Sequence, residues 1–140
     1  MRSSRLAADY VHRAEVRVQA LQVLFAAESW ADVVRESQEI VELALKGLLR
    51  ARGIEPPRIH DVSDVLVAER GRLPAALAAE IEALAEASRR LRRDRELAFY
   101  GAEDLTPSGF YSRRDAEEAK AWAERTVALV APHVPHVSGP

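Results

Sequence analysis

Five closely spaced arginines are the residues of this chain best suited to chemistry. They lie in the stretch SRRLRRDRELAFYG, from Ser88 to Gly101, and are Arg89, Arg90, Arg92, Arg93 and Arg95. A guanidinium group matches two oxygens of a phosphate or carboxylate, and only Asp94 and Glu96 offset the local positive charge. The stretch therefore predicts either a contact with RNA or an acidic protein, or a solvated helix face.

Helical spacing singles out Arg95 among the five. One line at about 100° per residue runs through Leu77, Ile81, Leu84, Ser88, Leu91, Arg95 and Ala98. Arg93 points away from this line, and Arg92 has the i,i+4 spacing to pair with Glu96. A charge on an apolar stripe is costly unless it is paired. Three interpretations stay open: Arg95 pairs with a buried carboxylate, extends to solvent from the end of the bundle, or lines a cleft that binds an anion.

Glu42 is the candidate partner of Arg95, because it lies at the edge of the apolar face of the second helix. Lys46 follows Glu42 at i,i+4 in the favourable order. Tyr100 can donate a hydrogen bond or stack on a base. The candidate anion-binding set is therefore Arg95, Tyr100, Glu42, Lys46 and Arg92. Any catalytic role would fall to Arg95 and Tyr100.

Several kinds of chemistry have no basis in this sequence. The chain has no cysteine, which removes disulfides, zinc ribbons and thiol nucleophiles. It has no P-loop and no GxGxxG, GxSxG or HExxH motif. The four histidines are His12, His60, His133 and His136, and they form no motif. We predict no metal site and no cofactor.

Length and composition are typical of one globular domain. The chain has 140 residues, of which 48% are hydrophobic and 30% charged, with a net charge of −2. That charge argues against binding nucleic acid over the whole surface, though not against a local basic patch. The apolar runs are too short to cross a membrane, and the N-terminal residues lack the apolar core of a signal peptide. We therefore expect a cytoplasmic protein.

Apolar periodicity, glycines and prolines predict an all-α bundle of four main helices plus one short helix. The predicted main helices are Ser4 to Ala27, Trp30 to Arg52, Pro74 to Tyr100, and Ser112 to about Val130; a short helix begins near His60 and ends at Gly71. The wide apolar arc of the second helix implies contacts on two sides, either within the bundle or with a partner subunit. Residues 1–131 form the predicted domain, and residues 132–140 are predicted to be disordered.

The order of these segments resembles the HEPN domain, the higher eukaryotes and prokaryotes nucleotide-binding domain. The resemblance rests on Glu42 with Leu45-Lys46, on His60-Asp61, and on Arg95 with Ala98 and Tyr100. It implies an up-and-down helical bundle that often forms a homodimer. Ribonuclease members carry an arginine, four to six intervening residues and a histidine, and cleave RNA without metal at a cleft between two copies. Other members act with a nucleotidyltransferase as toxin and antitoxin.

The sequence departs from the nuclease pattern because no histidine follows Arg93 or Arg95 at the required spacing. Aligning Tyr100 with the tyrosine that follows this histidine in some family members puts Ala98 in the histidine position. RNA cleavage needs a group that handles a proton near neutral pH, and tyrosine, with an ordinary pKa of about 10, does this poorly.

Three functions follow as hypotheses. The first is a HEPN-type protein without strong nuclease activity that binds a nucleotide, RNA or a nucleotidyltransferase-type partner. The second is an active metal-free ribonuclease that uses Arg95 and Tyr100, or a histidine from elsewhere such as His60. The third is a non-catalytic helical interaction module, for which we expect a closed Arg95–Glu42 pair.

Overall fold

The computed structural model describes the backbone of residues 2–58, 62–100 and 107–136, and the side chains of 4–58, 62–93 and 109–136. Within these ranges the chain is all-α. The helices are α1 (Arg2–Ala26), α2 (Trp30–Ala51), α3 (Val62–Ala68), α4 (Ile81–Tyr100), α5 (Pro107–Phe110) and α6 (Arg113–Val130). The predicted fold class is confirmed.

The four long helices alternate in direction. Arg17 of α1 contacts Glu36 of α2, while Tyr10 lies under Arg50, so α1 and α2 are antiparallel. Arg90 pairs with Glu118 and Arg125 with Glu80, and these two contacts make the chain leading into α4 antiparallel to α6. Arg113 lies over Trp30, which places the starts of α6 and α2 at the same end.

Helix α2 is the centre of the bundle. It packs against α1, α4 and α6, so the wide apolar arc predicted from its sequence is covered within the chain. Its buried apolar residues include Val33, Val34, Ile40, Val41, Ala44, Leu45, Leu48 and Leu49. At its C-terminal end Gly53 has a φ of 73°, a backbone conformation that glycine adopts without steric cost. Polar side chains of such a central helix can reach solvent or a ligand only where the neighbouring helices leave a gap.

The start of α4 differs from the sequence prediction. Instead of one α-helix from Pro74, the chain forms a 3₁₀ segment over Ala75–Glu80, and the α-helix begins at Ile81. The predicted apolar line is nevertheless buried from Leu77 through Leu91. The 3₁₀ segment rises more per residue than an α-helix, which changes where the start of this line lies relative to its neighbours.

The connections on either side of α4 are also more helical than expected. Helix α3 ends at Ala68, before the predicted stop at Gly71, and Arg70–Arg72 forms a 3₁₀ turn. In the loop predicted before the last helix, Pro107–Phe110 forms the short helix α5. Prolines are favoured in the first turn of a helix, which accounts for this local order.

Helix α6 begins as the sequence predicts. The Ser112 hydroxyl accepts a hydrogen bond from the Asp115 backbone N–H at 3.3 Å, and the Asp115 carboxylate accepts one from the Ser112 N–H at 2.8 Å. This reciprocal arrangement is a capping box. Before α2, by contrast, the Ser29 hydroxyl donates to the Asp32 carboxylate at 2.6 Å and accepts no backbone N–H hydrogen bond.

The segment after α6 differs from the prediction of disorder from residue 132 onward. Ala131–His133 forms a 3₁₀ turn, and Val134 is buried. Its apolar side chain packs into the core cluster, which fixes the chain one turn beyond Pro132. Residues 137–140 lie outside the described residues. None of the described helices combines the length and apolar content that a membrane crossing requires.

Candidate functional site

A line of polar side chains runs along the face of α2 at its junction with α4. Gln38, Glu42 and Lys46 follow one another at i,i+4, so they lie one above the other on the same side of the helix. Gln38 is buried, whereas Glu42 and Lys46 are half-buried. This line contains two of the five residues that the sequence singles out as anion-binding candidates.

Arg92 of α4 meets this line at Glu42. The Arg92 Nη1 and Glu42 Oε1 atoms are 3.8 Å apart, and the two side chains are 38% and 24% exposed. This distance allows an ion pair but exceeds a direct hydrogen bond. The sequence predicts Arg95 as the partner of Glu42 and Glu96 as a partner of Arg92. The side chains of Arg95 and Glu96 lie outside the described residues, so these two pairings remain predictions, and among the described side chains Glu42 pairs with Arg92.

Arg95 and Tyr100 belong to α4, but their side chains lie outside the described residues. Their backbones continue the helix beyond Arg92 at about 1.5 Å per residue. Because α2 and α4 run antiparallel, this continuation leads from the level of Glu42 toward the level of Gln38. The roles predicted for Arg95 and Tyr100 remain predictions.

Lys46 forms no ion pair with any residue whose side chain is described. The expected i,i+4 pair with Glu42 is absent from the close contacts in this part of the chain, because Glu42 pairs with Arg92 across the helix junction instead. Lys46 therefore contributes a half-buried positive charge that no described carboxylate pairs with. A cation in such a place favours an anion.

Gly47 sets how closely α1 approaches α2 beside Lys46. A Cβ atom added at Gly47 would lie 2.8 Å from Val11 Cγ2 and 3.2 Å from the Ala7 carbonyl oxygen. Any larger residue would therefore push α1 away from α2. Apolar periodicity does not single out this residue, although a lone glycine inside a helical pattern is a signal of close packing.

The arginines that precede Arg92 connect α4 to two other helices. Arg89 donates to the Ser63 hydroxyl at 3.4 Å and lies 4.0 Å from Asp64, both in α3. Arg90 donates to Glu118 of α6 at 3.3 Å. Together with the pairing of Arg92 on α2, these contacts offset much of the positive charge that the sequence concentrates here. Arg93 is exposed and forms no ion pair with a described residue.

Gln38 is a buried polar residue that the sequence pattern does not single out. Its side chain is 3% exposed, and its Oε1 atom accepts no hydrogen bond from the described residues. Buried amide oxygens are usually satisfied, so an acceptor of this kind marks a place where a donor belongs. Its position on α2 is one turn from Glu42, toward the level of the α4 residues after Arg92.

A shallow cleft lies on the other side of α4, against α6. It has a volume of about 330 Å³ and is lined by Arg90, Glu118, Ala121, Trp122 and Arg125. Arg125 pairs with Glu80 at 2.7 Å and lies over the Trp122 ring at 5.3 Å. Each arginine of this cleft has a carboxylate partner among the described residues, so the cleft offers no unpaired arginine to an anion.

The described histidines lie away from that junction. His12 is exposed on α1, and His133 lies at the C-terminal end of α6, the end of the bundle opposite the end of α4. His60 lies outside the described residues. No group of three or more histidine, aspartate or glutamate side chains in the described ranges has the arrangement of a metal site.

The fold and this junction define an all-α helical bundle with a polar, cation-rich contact between its second and fourth helices. The HEPN domain family model matches residues 7–133, and the chain belongs to that family. The crystal structure of TT1696 from Thermus thermophilus is similar, with a TM-score of 0.73 and 26% sequence identity. The match covers 92% of this chain and 98% of that one. A comparison with curated proteins finds no match.

Proposed function

We propose that this HEPN-domain protein binds a phosphate-bearing ligand, a nucleotide or RNA, at the α2–α4 junction and does not cleave RNA efficiently. The observation that carries the proposal is Lys46, a half-buried cation without an ion pair to any described side chain. It lies one turn from the Arg92–Glu42 pair. A phosphate bound at this place would accept hydrogen bonds from the Lys46 ammonium group and from the Arg92 guanidinium group.

Each residue of the junction has a distinct role in this proposal. Lys46 supplies a charge that no described carboxylate cancels, and partial burial strengthens its attraction for an anion. Glu42 holds the Arg92 guanidinium close to α2, which orients its remaining N–H groups. Arg95 and Tyr100 continue α4 beyond Arg92 in sequence, and we assign them a phosphate contact and a flanking or stacking contact.

The missing histidine argues against strong ribonuclease activity. No histidine occurs between His60 and His133, so the end of α4 carries none. Without an imidazole on α4, this helix offers the 2′-OH proton no acceptor suited to neutral pH. A bound RNA would therefore remain intact.

The family relationship extends the proposal to protein partners. We expect a homodimer and a nucleotidyltransferase-type partner, as in toxin–antitoxin pairs. The exposed side chain of Arg93 remains available for an acidic partner surface, since it has no ion pair in the described part of the chain. Isolation of the protein together with a nucleotidyltransferase made from a neighbouring gene would support this extension.

The chain offers a matched pair of variants for the test, because Lys46 and Lys120 are its two lysines. Lys46→Met removes the unpaired charge at the junction. Lys120→Met removes the same charge elsewhere, where Lys120 pairs with Glu124 at 3.2 Å. Fluorescence anisotropy with labelled single-stranded RNA, and competition with ATP, would measure binding at two salt concentrations.

We expect Lys46→Met to weaken RNA binding about fivefold or more. The slope of the logarithm of the binding constant against the logarithm of salt concentration should fall by the amount that corresponds to about one phosphate contact. Lys120→Met should bind like the wild type. Equal binding by both variants would show that the junction is not the site.

A non-catalytic interaction module is the second candidate function, and the paired arginines favour it. Arg89, Arg90 and Arg92 each contact a carboxylate of a different helix. In this case the charges only hold the bundle together. The wild-type protein would then bind neither RNA nor ATP, while a partner protein would still bind.

A further inference from the structure

One edge of α1 carries a line of polar side chains along the neighbouring side of α2. Tyr10, Arg13 and Arg17 follow one another at i,i+3 and i,i+4, so they share one side of the helix. Arg17 pairs with Glu36 of α2 at 3.2 Å. The Tyr10 ring centroid is 5.6 Å from the guanidinium carbon of Arg50, also in α2. Arg13 lies between these two contacts, so it faces the same side of the bundle.

Between α1 and α4, one side of α2 stays partly open to solvent. It carries four half-buried residues, which we call the α2 strip: Glu39, Leu43, Lys46 and Arg50. Helix α1 reaches this strip through Arg17, which is 4.0 Å from Glu39. Helix α4 reaches its other edge through Arg92, which is 3.8 Å from Glu42. The strip is therefore the floor of a shallow groove between α1 and α4.

Arg13 and Lys46 lie at nearly the same level of this groove. A Cβ atom added at Gly47 would be 3.4 Å from the Tyr10 Cβ atom, so these two residues are level with each other. Because α1 and α2 are antiparallel, Arg13 is then level with Ala44, about 3 Å along the helix axis from Lys46. The axes of two packed helices are about 8–10 Å apart. The two cations thus stand on opposite sides of the groove floor, each on its own helix.

Arg13 forms no ion pair with any residue whose side chain is described. Asp9 precedes it at the i,i+4 spacing that favours a pair, yet the two side chains do not meet. Arg17 follows Arg13 at the same spacing with a like charge, and Lys46 and Arg50 repeat this arrangement on α2. Like charges at i,i+4 repel each other. An anion bound between Arg13 and Lys46 would relieve the repulsion on both helices.

We propose that Arg13 forms a second phosphate subsite beside the one at Lys46, so that the ligand is a nucleotide strand and not a mononucleotide. One phosphate binds to Lys46 and Arg92, and the next phosphate of the strand binds to Arg13. The nucleoside between them lies over Leu43. The inference rests on the proposed phosphate site at the α2–α4 junction and adds the direction in which the strand crosses α2.

The separation of the two cations favours a strand over a nucleoside triphosphate. Adjacent phosphates of a triphosphate share one bridging oxygen, whereas consecutive phosphates of a strand are joined through a ribose. Cations on two neighbouring helices therefore suit the wider spacing of the strand. Leu43, half-buried between them, offers an apolar contact to the ribose or base. Each phosphate held by its own cation also releases counterions, which makes binding depend on salt.

Two arginines of α1 provide a matched pair of variants. Arg13→Gln removes the charge of the proposed subsite. Arg5→Gln is the control, because Arg5 is also exposed on α1 and has no ion pair with a described residue, but helical spacing places it outside the line from Tyr10 to Arg17. Fluorescence anisotropy of a short labelled single-stranded RNA measures binding. ATP, a dinucleotide with a 5′-phosphate, and polyglutamate serve as competitors, and thermal melts verify that both variants are folded.

We expect Arg13→Gln to weaken RNA binding about fivefold or more and to leave the affinity for ATP unchanged. The slope of the logarithm of the binding constant against the logarithm of salt concentration should fall by about 0.7, the value for one phosphate of a single strand. The dinucleotide should displace RNA from the wild type better than ATP does, and Arg13→Gln should abolish this advantage. Arg5→Gln should bind like the wild type.

Three results would overturn the inference. Equal losses in Arg13→Gln and Arg5→Gln would show a general effect of charge. A loss of ATP affinity in Arg13→Gln as large as the loss of RNA affinity would mean that one phosphate site serves both ligands. Displacement of RNA by polyglutamate as readily as by the dinucleotide would indicate a site for acidic proteins.

Lys46→Met in the same assay separates this inference from the proposed function. If Lys46→Met weakens both RNA and ATP binding while Arg13→Gln weakens neither, the junction site stands and the α1 subsite is wrong. If Arg13→Gln weakens RNA binding and Lys46→Met does not, the proposed function fails, and the path across α2 fails with it. Losses in both variants, with ATP sensitive only to Lys46→Met, support both.

Discussion

Replacing Gly47 with alanine reverses the sign that helix propensity predicts. In an ordinary helix interior, alanine is more stable than glycine by about 1 kcal/mol. At Gly47 the new Cβ would lie 2.8 Å from Val11 Cγ2 and 3.2 Å from the Ala7 carbonyl oxygen. Val11 and Ala7 are 4% and 1% exposed, so neither can move into solvent.

The size of the effect follows from these two contacts. Valine has one strongly preferred rotamer in a helix, and the carbonyl oxygen is fixed by the α1 backbone, so α1 itself must shift. Overpacking of this kind costs about 1–3 kcal/mol. After the gain in propensity is subtracted, we expect Gly47→Ala to lower the free energy of unfolding by up to about 2 kcal/mol. The melting temperature should fall by up to about 8 °C.

Gly71 provides the matched control. A Cβ atom added there meets nothing within 4 Å. Gly71→Ala should leave the free energy of unfolding within about 0.5 kcal/mol of the wild type. Urea denaturation and thermal melts followed by circular dichroism would measure both variants. In a Val11→Ala background, Gly47→Ala should become less costly, because the nearest obstacle is gone. A Gly47→Ala protein more stable than the wild type would refute this account of the α1–α2 contact.

Two further predictions concern the cap of α6 and the ion pair at the junction. Ser112→Ala should lower the free energy of unfolding by about 1 kcal/mol, because it removes the hydroxyl that accepts the Asp115 N–H. Ser29→Ala should cost less in the same urea titration, because the Ser29 hydroxyl accepts no backbone N–H. Equal losses in the two variants would contradict the observed caps. A double-mutant cycle with Arg92→Met and Glu42→Gln should give a coupling energy below about 1 kcal/mol, because both side chains are partly exposed and 3.8 Å apart. A much larger coupling would indicate a fully buried pair and contradict the observed exposure of the two side chains.

The sequence contains enough information to predict the four long helices and the central place of α2. Apolar periodicity fixes which face of each helix is buried, and Gly53 and Ser112 mark two of the ends. The 3₁₀ segment before Ile81 was not predictable in this way, because a 3₁₀ turn and an α-turn differ little in apolar pattern. The 3₁₀ turn at Ala131–His133 was not predictable either, because the burial of Val134 orders a segment whose prolines favour disorder.

The junction could be predicted only in part. The sequence identified Glu42 and Arg92 as candidates but did not pair them with each other, because that contact depends on the relative level of α2 and α4. A helix can slide by one turn against its neighbour without changing its apolar pattern, so periodicity alone cannot determine that level. The relative level of α2 and α4 also decides which side chains lie beside Lys46. The lack of an ion pair between Lys46 and the described side chains was therefore not predictable either. Gln38 escaped notice because a glutamine among apolar residues gives no clear sequence signal.

The most direct test of the central claim follows one labelled single-stranded RNA through binding and cleavage in the same metal-free reaction, with the protein in molar excess. A native gel shows whether the RNA is bound, and a denaturing gel of the same sample shows whether it is intact. We predict a retarded band for the wild type, a weaker one for Lys46→Met, and full-length RNA in every lane. Defined cleavage products that disappear in the Arg95→Ala or His60→Ala variant would contradict the account and identify an active ribonuclease.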